Sequence, residues 1–236
     1  MPVSRASGGS TAVAERFDDQ ALRQQVVSVA RRMNGTGLNQ GTSGNLSVRT
    51  EGGLLVTPSS LPYEQMEAGD LVALDLSGES LQGRQRRPSS EWRLHADVLA
   101  SRPEAMAVLH CHPIHATALA CHDRGIPAFH YMVAVAGGDD IRCAPYATFG
   151  TAELSDHAVK GLAQRKACLL ARHGLVTLGE DLESALRVAV EVETLARMYL
   201  QALQLGEPPV LTGAQMQAVH EQFSGLAYGQ VDHSPR

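Results

Sequence analysis

Long apolar runs are missing from this chain. The longest, such as residues 132–136, reach about five or six residues against the ~20 that a membrane-spanning helix requires. A basic excess is missing too: 20 Lys+Arg against 25 Asp+Glu leave a net charge of −5. That balance excludes the electrostatic footprint of a nucleic-acid or anionic-membrane binder. The four cysteines (Cys111, Cys121, Cys143, Cys168) contain no C-x-x-C pair and are too sparse for a disulfide framework. They read as reduced, mostly buried thiols. The opening stretch MPVSRASGGSTAVAERFDD has no apolar core of the kind a secretory signal needs. No internal repeat or low-complexity tract breaks the pattern, and 44% hydrophobic residues with 22 Gly and 11 Pro are ordinary for a globular chain. The expectation is a cytoplasmic protein without membrane or nucleic-acid partners.

What is present is an alternation of helical and short extended segments. Residues 1–16 are Ser/Gly/Ala-rich without periodicity and read as a flexible N-terminal segment. Leu22, Val26, Val29, Ala30 and Met33 then recur at helical spacing, with Asp18 or Asp19 as cap and Asn34-Gly35 as stop. Further helices are expected from Ser89-Ser90 to before Pro103, from Pro113 to about residue 121, over 151–164, and over 181–205. Short strands are expected at 46–49, 54–57, 71–75, 105–110, 132–135, 141–143 and 167–171. Such an order predicts one three-layer α/β/α domain over residues 17–215. Residues 216–236 form a separate C-terminal segment.

The ten histidines carry the first chemical signal, because His95, His110, His112 and His115 fall within 21 positions. In a strand, His110 and His112 project to the same face while Cys111 points away. Two readings stand for this pair: ligands to one divalent ion, or a polar strand end meeting solvent. Arg172-His173-Gly174 ends another strand, and His173 reaches the same sheet edge if the two strands are neighbours. Glu91 opens a helix at Ser89-Ser90, where exposed N–H groups favour an anionic group. Three His and one Glu make a four-ligand N/O set suited to zinc. His95 lies one helical turn after Glu91 and reads as a packed or supporting histidine. His115, His122, His130 and His157 read as ordinary surface or core histidines.

A second signal comes from GTSGN (residues 41–45), TPSS (57–60) and the Ser89-Ser90 pair. Each is a turn by itself. Together they offer backbone N–H groups and hydroxyls without a Lys or Arg, the makings of an anion cradle for phosphate.

At this point the sequence closely resembles the class II aldolase/adducin family. The resemblance is carried by GLNQGTSGNLSVR, TPSSLPYE, PSSEWRLH, AVLHCHPIHATALA, IPAFHYMVAVAGG, CAPYATFGT, ARHGL and EVETLARMYL, in order over about residues 20–205. It implies a central, mainly antiparallel sheet, and a zinc-dependent aldolase that cleaves a ketose 1-phosphate of the L-fuculose 1-phosphate kind. The products would be dihydroxyacetone phosphate and a small aldehyde, formed through a stabilised enediolate. It implies one zinc per subunit, with iron, cobalt or manganese as alternatives, and a homotetramer with active sites between subunits.

By motif, the resemblance carries metal ligation to Glu91, His110, His112 and His173. It carries phosphate binding to Gly44, Asn45, Ser59, Ser60, Ser89 and Ser90. Glu91 would exchange the C3 proton, and Tyr131 of a neighbouring subunit would serve the C4 hydroxyl. Tyr228 stands either as a lid residue or as a tail aromatic. One departure is TPSS in place of the commoner T-P-T-G, which puts Ser60 where a glycine often sits. Related 4-epimerases carry Asp at the Glu91 position, which favours aldol cleavage here. The alternatives are a 4-epimerase, a phosphotetronate decarboxylase, a methylthioribulose-phosphate enzyme, or a non-catalytic adducin-like binding module.

Overall fold

Strand side chains alternate between two faces, and in this chain both faces are apolar over most of the sheet. The computed structural model describes residues 19–83 and 86–225. The first half holds α1 (Gln20–Gly35), β1 (Asn45–Thr50), β2 (Gly53–Val56), β3 (Val72–Leu74), α2 (Trp92–Ser101), β4 (Ala107–Cys111) and α3 (Ile114–Ala120). The second holds β5 (Arg142–Ala144), α4 (Ala152–Gly161), β6 (Ala167–Leu170), β7 (Gly174–Gly179), α5 (Leu182–Leu203) and α6 (Gly213–Gly225). Short 3-10 helices stand at Ala68–Asp70 and Tyr131–Ala136.

The strands form one sheet in the order β3-β2-β1-β4-β7-β6-β5, antiparallel throughout except for the β5–β6 pair. On β4, Ala107, Leu109 and Cys111 enter the core built with α1, α3 and α5. Val108 enters the opposite core, built with α2 and α4. The same division holds on β6, where Ala167 and Leu169 oppose Cys168 and Leu170. The expected three-layer α/β/α domain with a mainly antiparallel sheet is the fold observed.

Two helix starts are fixed as the sequence suggests. Asp19 accepts hydrogen bonds from the N–H groups of Ala21 and Leu22 at 3.0 and 3.1 Å. Asp181 accepts one from the Ser184 N–H at 2.6 Å, while the Ser184 hydroxyl accepts the Asp181 N–H at 3.0 Å. Among the described residues no helix is long and apolar enough to cross a membrane. All four cysteines are free; Cys111 and Cys168 are buried, Cys143 is half-buried and Cys121 is exposed. Burial pushes the Cys168 thiol up to about 12 and Cys143 up to about 11, so neither is a ready nucleophile.

Two expectations are corrected and two elements are added. Residues 132–135 are not a strand but part of the 3-10 helix Tyr131–Ala136, closed by Gly137 at φ 84°. Val133, Ala134 and Ala136 are buried together, a spacing of three that an alternating strand cannot give. The strands carrying His110 and His173 are not neighbours either, since β7 lies between β4 and β6. β7 itself is absent from the sequence reading, as is α6, which starts at Gly213 and packs Met216 against Ala128 and Ala134.

α3 is too short to hold itself and is pinned from outside. The Glu193 carboxylate on α5 accepts the backbone N–H groups of His115 and Ala116 at 3.0 and 2.9 Å, and the His115 ring nitrogen at 2.7 Å. This tie lies at the very start of α3, just past His112 and Pro113. Replacing Glu193 by Ala should lower thermal stability by about 1–2 kcal/mol, the cost of losing a cap that serves two N–H groups. An unchanged melting curve would show that the tie carries no stability.

Candidate metal centre

His110 is the penultimate residue of β4, on the face that carries α2, and is fully buried. Its Nδ1–H donates to the Leu175 carbonyl of β7 at 3.0 Å, which fixes the tautomer and leaves the Nε2 lone pair free. His112 follows β4, and its Nε2 lies 3.0 Å from the His110 Nε2. His173 sits in the turn between β6 and β7, after Arg172 in the left-handed region at φ 54°. The antiparallel pairing of β7 with β4, Leu175 opposite Cys111, folds that turn back onto the other two rings. The three ring centroids are 4.7–5.1 Å apart and their ligating nitrogens fall within 4.8 Å of one another. Among the described residues no other three His, Cys, Asp or Glu side chains converge in this way.

Gly174 is what allows this crowding. A Cβ there would lie 2.5 Å from the Cys111 carbonyl oxygen and 2.6 Å from the His112 ring. The sequence reading gave Gly174 no role; its only sign was its place directly after His173.

Glu91 occupies the N-cap position of α2 without a side-chain capping bond and is buried. Its Oε2 lies 3.3 Å from His110 Nε2, and its Oε1 lies 3.5 Å from His173 Nε2. Oε2 accepts a hydrogen bond from the Asn45 amide at 2.9 Å, whereas Oε1 is buried without a hydrogen-bond partner. An unpartnered buried carboxylate oxygen is costly unless something cationic meets it. The His110–His112 nitrogens at 3.0 Å and the Glu91 Oε1–His173 pair at 3.5 Å stand either side of the ~3.3 Å edge of a tetrahedron whose centre lies ~2.0 Å from each ligand, and all three ring nitrogens fall within 4.8 Å of one another. The residues present therefore fit a tetrahedral divalent metal.

Burial keeps the imidazoles neutral, the form that ligates. It pulls His110 down to about 3, helped by His112 and opposed by the Leu175 carbonyl. It pulls His173 down to about 4, with His110 adding and Glu91 opposing, and it lowers His112 as well. His95 is no ligand. It is fully buried behind Glu91, donates from Nε2 to the Asn45 side-chain oxygen at 2.5 Å and meets the Ser47 hydroxyl through Nδ1 at 2.7 Å. Burial, with His110 beside it, holds His95 at about 3.

The three Gly/Ser loops meet beside this cluster because their backbones are laced together. The Thr57 N–H donates to the Leu46 carbonyl, the Ser89 N–H to the Thr57 carbonyl and the Ser59 N–H to the Arg87 carbonyl, each at 3.0 Å. The Ser89 hydroxyl accepts the Glu91 N–H at 3.2 Å. Tyr63, another residue the sequence reading passed over, donates its buried hydroxyl to the Gly44 carbonyl. Gly44 must be glycine, since a Cβ would meet the His110 carbonyl at 2.7 Å. Ser60 adopts the left-handed region at φ 60°, the conformation that a glycine takes freely.

A cavity of about 330 Å³ results, lined by Gly44, Asn45, Ser59, Ser60, Ser89, Ser90, Glu91, His112 and His173, with Phe149 at its edge. Tyr131 is 45% exposed on its 3-10 helix and is not among the lining residues of its own chain. Tyr228 lies outside the described residues. His115, His130 and His157 are engaged elsewhere, with Glu193, the Met132 N–H and the Pro145 carbonyl.

These histidines make stability pH-dependent. Their folded values lie below the ~6.5 of an unfolded chain, so the unfolded state binds more protons as pH falls through that value. Stability is therefore full above about pH 6.5 and is lost as the solution is acidified. For His95 alone the loss between pH 7 and 5 is about 2 kcal/mol. Calorimetry of the metal-free protein should show a melting temperature that drops steadily over that interval. A flat profile would contradict the buried, neutral assignment.

Comparison with known proteins agrees with this geometry. The family described as Class II Aldolase and Adducin N-terminal domain matches residues 24–200. The chain is similar to the 5-methylthioribulose-1-phosphate/5-deoxyribulose-1-phosphate aldolase of Rhodospirillum rubrum, at 53% identity over 91% of this chain and 96% of that one. It is similar to the L-fuculose phosphate aldolase of Escherichia coli, at 48% identity over 86% and 94%. Among solved structures, an L-fuculose 1-phosphate aldolase superposes with a TM-score of 0.84 at 38% identity, covering 87% of this chain and 97% of that one. The chain belongs to the class II aldolase and adducin family, and within it to the class II aldolases.

Proposed function

We propose that this chain is a zinc-dependent aldolase of the cytoplasm. On this reading it cleaves a ketose 1-phosphate to dihydroxyacetone phosphate and a small aldehyde. The observation that carries the reading is the convergence of three neutral imidazoles and the unpartnered Glu91 Oε1 beside a cavity that Glu91, His112 and His173 line together with Ser/Gly loops. His110, His112, His173 and Glu91 would hold the metal, with other divalent ions as substitutes. Bound there, zinc supplies the positive charge that makes the carbanion of C3–C4 cleavage accessible.

The remaining chemistry belongs to the chain. Gly44, Asn45, Ser59, Ser60, Ser89 and Ser90 bind the phosphate through hydroxyl and backbone groups, which fixes C3 against Glu91. In condensation Glu91 accepts the C3 proton of dihydroxyacetone phosphate, and in cleavage it returns that proton. Tyr131 of the partner subunit accepts the C4 hydroxyl proton in cleavage and gives it back in condensation. Its exposure, away from the cavity of its own chain, suits a residue that serves a neighbour in a homotetramer.

Two substrate groups share the phosphate and C1–C3 end: 6-deoxyketose phosphates such as L-fuculose 1-phosphate, and 5-methylthio- or 5-deoxyribulose 1-phosphate. The relative at 53% identity is named for the second group. The exposed Phe149 ring at the cavity edge offers an apolar surface to the methyl or methylthio end in either case.

The test is release of dihydroxyacetone phosphate from these three substrates before chelation, after it, and after zinc is restored. Activity should vanish with the chelator and return with zinc, and the ranking of rates identifies the substrate. Glu91→Gln should lower kcat by at least about 10²-fold, the usual worth of a positioned acid/base. Turnover that survives either change would sink the reading.

A further inference from the structure

Four buried polar residues stand in line behind the ligand cluster: Ser47 and His95 at 0% exposure, Asn45 and Glu91 at 4%. Asn45 and Ser47 are two apart on β1, and Glu91 and His95 are four apart where α2 begins. Two strand residues and four helix residues advance by nearly the same ~6–7 Å. The strand pair and the helix pair therefore stay in step and link into one chain of hydrogen bonds. Its contacts are Ser47 Oγ to His95 Nδ1 at 2.7 Å, His95 Nε2 to Asn45 Oδ1 at 2.5 Å and Asn45 Nδ2 to Glu91 Oε2 at 2.9 Å.

The direction of every bond follows from the carboxylate outward. Ionised Glu91 only accepts, so Asn45 must turn its NH2 group towards Oε2 and its carbonyl towards His95. His95 must then carry its proton on Nε2, which leaves Nδ1 to accept the Ser47 hydroxyl. The three partners leave His95 neutral and in a single tautomer. They also treat the two oxygens of Glu91 differently: Oε2 is held, while Oε1 has no hydrogen-bond partner and lies 3.5 Å from His173 Nε2.

We propose that Ser47, His95 and Asn45 form a positioning chain that holds Oε2 of Glu91 and leaves Oε1 to the metal. The proposal rests on the metal-aldolase reading above. The Asn45 amide is spent on this task, and Asn45 serves a phosphate in the cradle through its backbone alone. His95 touches neither metal nor substrate on this account; it acts through Asn45.

The test compares the intact protein with His95→Phe, His95→Gln and Ser47→Ala, each first checked for fold by circular dichroism and melting. His95→Phe keeps the ring's shape and loses both hydrogen bonds. It should lose about 10–100-fold in zinc affinity, measured by competition with a chromophoric chelator, as outer partners of ligands do. The absorption bands of its cobalt-loaded form should shift, and kcat should fall while KM stays nearly constant. His95→Gln, whose amide N–H reaches towards the place of Nε2–H, should recover most of the loss.

If His95→Phe does not fold, Ser47→Ala carries the test. It frees Nδ1, allows the chain to reverse, and should cost about 3–10-fold in zinc affinity, the worth of one hydrogen bond. Folded variants with the affinity and cobalt spectrum of the intact protein would overturn the proposal alone. An intact protein that takes up no zinc would overturn the metal-site reading beneath it.

Discussion

β4 is hydrogen-bonded on both edges, with Asn45 opposite His110 on one side and Val176 opposite it on the other. This register sets the positions of nearly all the groups that converge on the site. It brings the Asn45 amide within reach of Glu91, presents the Leu175 carbonyl to His110 Nδ1, and returns the β6–β7 turn so that His173 meets His112. A slip of one residue would exchange the faces of the strand. Leu109 would then face α2 and Glu91, and His110 would enter the apolar core beneath α3 and α5. The apolar pattern of β4 forbids that slip, so the hydrophobic alternation that builds the sheet also aims the chemistry.

The arrangement works against stability. His95, His110, Asn45, Ser47 and Glu91 are all buried, and an apolar set of the same shape would fold at lower cost. Each is satisfied by a neighbour with the exception of Glu91 Oε1 and the Nε2 lone pair of His110. One buried oxygen left over, beside neutral rings whose free nitrogens face inward, describes a site whose last partner is an ion. Metal binding and stability are then coupled, because an ion held by the folded chain and not by the unfolded one stabilises by mass action. Gly174 and Gly44 serve the same end from the backbone: the first lets main chain approach the His112 and His110 rings, and the second lets it approach the His110 carbonyl, more closely than any side chain allows.

Much of the site was legible in the sequence because it rests on short-range rules. Strand alternation put His110 and His112 together, and the Ser-Ser-Glu start of α2 placed Glu91 at a helix N-terminus. His173 was reached on a wrong premise, since its strand neighbours β7 and not β4. β7 escaped notice because it is buried on both faces and bracketed by glycines, so it shows no alternation to read. Residues 131–136 misled in the opposite way, being an apolar run that looks like a strand but finds no sheet edge to join. α6 has only Met216 buried and left almost no periodic trace. Asn45, read from its loop as a phosphate residue, spends its side chain on Glu91 and His95, a fact of tertiary structure that no local pattern announces.

The central claim is that one divalent ion occupies the space between three imidazoles and the free oxygen of Glu91. Crystals grown with zinc and measured on both sides of its absorption edge test it directly. The account predicts a single strong anomalous peak about 2.0–2.2 Å from a ring nitrogen of His110, His112 and His173 and from Oε1 of Glu91, with Oε2 still held by Asn45. A peak that omits Glu91, lies elsewhere on the chain, or fails to appear at saturating zinc would contradict it.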